Sequence, residues 1–104
     1  MPSEPLSREA VESALAGLEG WAFDGGAIRR TYEAEDFPAA IHVVNVVAVL
    51  AEQAKHHPDV DIRWRTLTFV LSTHDAGGRV TSKDLEMAAQ INAAIANSPP
   101  ARTL

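Results

Sequence analysis

A chain of 104 residues with no cysteine and a formal net charge of −5 excludes several classes at once. Disulfide frameworks, thiolate metal sites and cysteine nucleophiles are ruled out. Binding to phosphate backbones rests on clustered Lys and Arg, and 9 basic against 14 acidic residues do not favour it. The length suits one domain, residues 1–104, with frayed ends at 1–5 and 98–104. Met1-Pro2-Ser3-Glu4-Pro5 lacks the basic flank and apolar run of a signal peptide, so a cytoplasmic protein is expected.

Ser7 is an N-cap candidate, with Val11, Ala14, Leu15 and Leu18 following at helical spacing and a stop near Gly17 to Gly20. Trp21 and Phe23 alternate up to Asp24-Gly25-Gly26, a turn sequence whose glycines accept positive φ, and Ile28 and Tyr32 continue beyond it. Residues 21–34 therefore read as a β-hairpin. Asp36 caps the next element, and Pro38 is tolerated in its first turn. Residues 37–56 run too long without a turn signal for a strand and predict a mostly buried helix. The apolar run from Phe37 to Ala51 is broken by His42 and Asn45 and is shorter than the ~20 residues of a bilayer span, so no membrane is expected. At 100° per residue His42, Asn45, Glu52 and His56 share one stripe of that helix.

After Pro58, the apolar positions Val60, Ile62 and Trp64 alternate, as do Leu67, Phe69 and Leu71 in the opposite phase. That slip predicts a tight turn or a bulge between two short strands. Arg63 and Arg65 read as the wet face of a strand rather than a nucleic-acid contact. Gly77-Gly78 makes a loop, and Thr81 or Ser82 starts a last helix with Met87, Ala88, Ile91, Ala94 and Ile95 on one side. The order α-β-β-α-β-β-α, with hairpins, implies an α+β two-layer fold: a four-stranded antiparallel sheet with helices on one face.

The polar residues of interest gather around His56-His57-Pro58. Glu52 and His56 are four apart and would touch on a helix, so Glu52 is expected to orient or charge His56. His57 precedes proline, which drives its backbone out of the α region, so the two imidazoles should point in different directions. That suits opposite flanks of a small ligand better than a shared metal ion. No H-E-x-x-H pattern is present, and no metal site is expected. Asp84 stands three residues after Thr81, the position of a capping-box acid, and is expected chiefly to play a structural role, shaping the loop behind the site. Trp64 is expected in the core or a pocket wall. His-His-Pro as a plain polar helix stop, with His74 on the surface, remains an alternative on spacing alone.

Glu52-x3-His56-His57-Pro58, then five residues to Trp64, nine to His74 and nine to Asp84, resembles the signature of the pterin-4a-carbinolamine dehydratases. Trp21, Asp36-Phe37, Ala51-Glu52 and Ser72-Thr73-His74 with Gly77-Gly78 extend the likeness over roughly Leu15 to Ile95. Two places depart from it: Tyr32-Glu33-Ala34 stands where a Phe-x-Phe pair is expected, and Val43 where the family often has an aromatic residue. The resemblance implies a hydro-lyase that dehydrates 4a-hydroxytetrahydropterin to quinonoid dihydropterin, in the recycling of a tetrahydropterin cofactor. His56 and His74 would be acids, and His57 a binding group and base. Glu52, Pro58, Trp64, Thr73 and Asp84 would bind substrate or support the site. The pterin would be substrate, with no further cofactor. The partner would be a pterin-dependent aromatic amino acid hydroxylase, and the assembly a homodimer or homotetramer. The same resemblance also admits a non-catalytic role on this fold, either as a dimerisation cofactor for a transcription factor or as an assembly factor for a carbon-fixation enzyme.

Overall fold

The computed structural model describes residues 4–98, so most of the expected frayed ends lie outside the described residues. The first helix, α1, spans Arg8–Leu15; the Ser7 hydroxyl accepts the Ala10 N–H and so satisfies one of the donors a helix start leaves open. The hairpin follows as β1 (Ala22–Asp24) and β2 (Ala27–Glu33), joined through Gly25 and Gly26, both at positive φ. α2 (Phe37–Ala54) starts under an Asp36 cap that accepts the Ala39 N–H. β3 (Asp59–Arg63) and β4 (Thr66–Leu71) form the second hairpin, and α3 (Ser82–Ala96) closes the fold.

The four strands make one antiparallel sheet in the order β1-β2-β4-β3. Its helix-facing side carries Ile28, Leu67, Phe69 and Leu71, which pack with Val43 and Val47 of α2 and Met87 and Ile91 of α3 into the core. The opposite side carries Arg29, Thr31 and Thr68, exposed or half-exposed, with the two threonine hydroxyls bonded across strands. The α+β class and the order α-β-β-α-β-β-α are therefore the observed ones. The phase slip after Ile62 is a two-residue turn, Trp64-Arg65, with Trp64 at φ 53°.

Two expectations are corrected. α2 is not mostly buried: among its residues only Ala40, Val43, Val47 and Ala51 are, because the sheet covers one side of it and α3 only part of the rest. By length and apolar composition this helix would also suit a membrane span, but its buried side chains belong to the core beneath the sheet. Trp64 is neither core nor pocket wall. It is 70% exposed, because the hairpin turn carries it past the end of the core, where the Arg65 guanidinium lies 4.8 Å from its ring centre.

Candidate active site

The end of α2 decides where the histidines go. The helix stops at Ala54, and Lys55 adopts a left-handed conformation (φ 53°, ψ 41°). The His56 N–H then closes back onto the Ala51 carbonyl at 3.1 Å, a 6→1 bond of the Schellman type. This reversal takes His56 off the helical stripe that the periodicity gave it and turns it inward, to 8% exposure. The expected Glu52–His56 pair is therefore absent: Glu52 bonds His57 Nε2, and both side chains stand in solvent.

His56 finds its partner 28 residues away. Its Nε2 lies 2.6 Å from Oδ1 of Asp84, which is fully buried. The other carboxylate oxygen, Oδ2, accepts the Thr73 hydroxyl at 2.8 Å and the Thr81 N–H at 2.9 Å. Thr73 has one hydroxyl proton and gives it to Asp84. The 2.6 Å contact between the two threonine hydroxyls must then be donated by Thr81, whose oxygen also accepts the Lys83 N–H at 3.2 Å. Each buried oxygen of this network has a partner, as a buried polar cluster requires. A carboxylate with two other donors on it acts as an acceptor toward His56. The network therefore assigns the proton to His56 Nε2 and leaves Nδ1, which has no partner among the described residues and is not sealed from solvent.

Asp84 is thus two things together. It is the capping-box acid of α3, taking the Thr81 N–H, and it is the group that orients His56. Its contacts thus extend from the helix start to His56 and Thr73. His56 also lies deeper than a residue at an open cleft, so removing it would leave a buried carboxylate without its partner.

His56, His57, His74, Thr73 and Ser72 line one cleft of roughly 330 Å³, a size that accepts a bicyclic heterocycle. Three elements build it: the end of α2, the strand exit after β4, and the start of α3. His74 begins the short 3₁₀ turn His74–Ala76 and is exposed; buried Thr73, in front of it, is anchored by its N–H to the Arg79 carbonyl at 2.8 Å. Pro58 lines a neighbouring apolar groove with Glu52, His57 and Val60 rather than this cleft. Trp64 follows the far end of the five-residue β3, roughly 16 Å along the strand, and does not line this cleft. His42 is exposed in a separate groove between α2 and α3. Among the described residues no group of three or more His, Asp or Glu is arranged to hold a metal ion. Sequence reasoning missed Thr81 as a member of the network, although its capping-box spacing to Asp84 was visible. It also missed Lys55 and Lys83 at the rim.

The sequence model of the family described as pterin 4 alpha carbinolamine dehydratase matches residues 4–94. The chain belongs to that family. Among its relatives, a Nocardia farcinica protein named "Putative pterin-4-alpha-carbinolamine dehydratase" is 54% identical over 92 residues, 88% of this chain and 96% of its own. A Mycobacterium tuberculosis protein of the same name is 49% identical over 88 residues, 85% and 93% of the two chains. A solved structure from Brucella melitensis, described as a transcriptional coactivator/pterin dehydratase, superposes with a TM-score of 0.83 at 32% identity, covering 88% of this chain and 98% of that one. A second, described as a pterin dehydratase-like protein acting as a RuBisCO assembly factor in the alpha-carboxysome, shares the fold with a TM-score of 0.64 at 15% identity, covering 78% and 94%. The family match thus accounts for the fold, and the cleft is the place on it where the three histidines gather.

Proposed function

We propose that the cleft dehydrates a 4a-hydroxytetrahydropterin to the quinonoid dihydropterin. The observation that carries this reading is the convergence of His56, His57 and His74 on one cleft, with His56 fixed from behind by Asp84. The reaction removes the proton on N5, forms the C4a=N5 double bond with that electron pair, and breaks the C4a–O bond as an acid protonates the departing hydroxyl. It therefore needs one proton acceptor and one proton donor, the work histidine does near neutral pH for typically ~10²–10⁴-fold in rate. Exposed His57 and His74 can reach a ligand from solvent, and His56 offers Nδ1 from a fixed ring. We assign His56 and His74 as acids and His57 as the base near N5, with Glu52 holding His57 rather than His56. Asp84 and Thr73 are assigned as positioning residues, because Asp84 bonds His56 and Thr73 bonds Asp84.

This chemistry calls for no metal or redox cofactor, because the nitrogen lone pair supplies the electrons. The substrate arises where an aromatic amino acid hydroxylase leaves the hydroxyl on carbon 4a, and a cysteine-free chain suits a reducing cytoplasm, where we place the reaction. The test is to generate the carbinolamine freshly and follow quinonoid formation by absorbance. The protein should accelerate it above the buffer rate and be inhibited by a stable oxidised pterin.

We also propose that the chain works as a homo-oligomer joined along β3. All five β3 residues are exposed, and Val60 and Ile62, at 38% and 43% exposure, stand on the apolar side of an edge with no strand beyond it among the described residues. Such an edge invites pairing with another strand, and an isologous pair of β3 strands would close it.

A further inference from the structure

The chain has only two lysines, Lys55 and Lys83, and both stand at the rim of the histidine cleft. They come from different elements, Lys55 from the reversal that ends α2 and Lys83 from the first turn of α3. In a protein of net charge −5 the distribution is pointed. The cleft carries two ammonium groups against one rim carboxylate, Asp75, before any histidine is counted. Among the described residues neither lysine pairs with a carboxylate; the ion pairs there are made by arginine and histidine. The other acids near the histidines are engaged by them, Glu52 by His57 and buried Asp84 by His56.

Lys55 adds a second observation. At φ 53° it occupies a left-handed conformation that glycine or asparagine adopts more easily and that costs a long side chain of order 1–2 kcal/mol. The helix stop itself requires the conformation but gives no reason for a lysine. A cation kept at a strained position on the lip of a cleft points to a charge needed there.

We propose that the substrate of this cleft carries an anionic group, a carboxylate or a phosphate, on the part of the molecule beyond the ring, and that Lys55 and Lys83 hold it. The proposal rests on the reading of the cleft as a carbinolamine dehydratase site and narrows the substrate class. The fused ring of a pterin carries no negative charge for an ammonium group to meet, so the two lysines match a charge on the side chain. Lysine is a compact point charge that accepts either anion.

The experiment compares three pterins that differ only at the end of the 6-substituent: a hydroxymethyl group, its phosphate ester, and a carboxylate of similar length. Each is used as the oxidised pterin, whose fluorescence reports binding, and as the freshly made 4a-hydroxytetrahydropterin, whose dehydration reports kcat/KM. The expected result is that at least one anionic form binds about tenfold more tightly than the hydroxymethyl form, carried in KM rather than kcat. The advantage should shrink as salt rises. In the double variant Lys55→Asn/Lys83→Gln the ratio should fall to about one; asparagine accepts the left-handed backbone, so the helix end survives. Which anion shows the preference identifies the source. Equal binding of all three in the unaltered protein, or a preference that persists in the double variant, overturns the proposal even if all three are dehydrated. Tighter anion binding without turnover of any carbinolamine would leave the anion site standing and remove the dehydratase reading instead.

Discussion

Asp84 joins two kinds of work that are usually argued apart. One oxygen closes the start of α3 and the other holds His56, so stability and site geometry are coupled in a single carboxylate. Asp84→Asn keeps the shape but puts an amide where an acceptor is needed, either against Thr73 and Thr81 or against His56. The expected outcome is a loss on the order of 1 kcal/mol in unfolding free energy, the scale of a damaged cap, together with at least about a tenfold fall in kcat. Nitrogen NMR of the His56 ring separates this from a purely structural effect: the unaltered protein should show the proton on Nε2, and the variant should lose that assignment. His56→Ala and His74→Ala should likewise differ. Removing His56 strands a buried carboxylate and should cost on the order of 3 kcal/mol, whereas removing exposed His74 should leave the melting temperature within a degree or two. Equal melting of the two variants would contradict the burial of the His56–Asp84 pair.

At the scale of elements, the termini of helices do most of the positioning. The stop at Ala54 is built on a left-handed Lys55, and glycine there relieves the steric cost while still making the bonds to Ala51. Lys55→Gly should therefore raise stability by about 0.5–1 kcal/mol in chemical denaturation, despite the entropy glycine adds to the unfolded chain. The same terminus marks where sequence reading reached its limit. Periodicity located α2, its Asp36 cap and the histidine pair, because each is a local signal within one or two turns. It extended the helix through His56, because nothing local in Ala54-Lys55-His56 announces a left-handed residue; glycine or asparagine would have. The wrong partner for His56 followed from that extension. The true contact, His56 to Asp84, spans 28 residues and exists only once α3 packs beside the end of α2. Likewise Val60, Ile62 and Trp64 have the alternation of a buried strand, but alternation cannot tell a central strand from an edge.

The whole molecule is a thin two-layer body whose most apolar helix and one sheet edge are incompletely covered. Phe37 and Val49 of α2 are exposed along with Val60 and Ile62 of β3. If a second copy covers β3, Ile62→Lys should shift sedimentation toward the monomer without unfolding it, since lysine on an edge strand opposes pairing. A sheet edge that stays monomeric in the unaltered protein would remove the proposed assembly. Chelator treatment should leave dehydration unchanged, because the proposed proton transfers use only side chains; activity that returns only on adding a divalent ion would contradict them. That the histidine cleft performs the dehydration is the central proposal. Its most direct test is the rate of quinonoid formation from fresh 4a-hydroxytetrahydropterin, compared between the unaltered protein and His74→Ala, the site variant whose fold should be least disturbed. The predicted result is acceleration by the unaltered protein and a loss of at least ~10²-fold in the variant. No acceleration at all, or a His74→Ala rate equal to that of the unaltered protein, would contradict it.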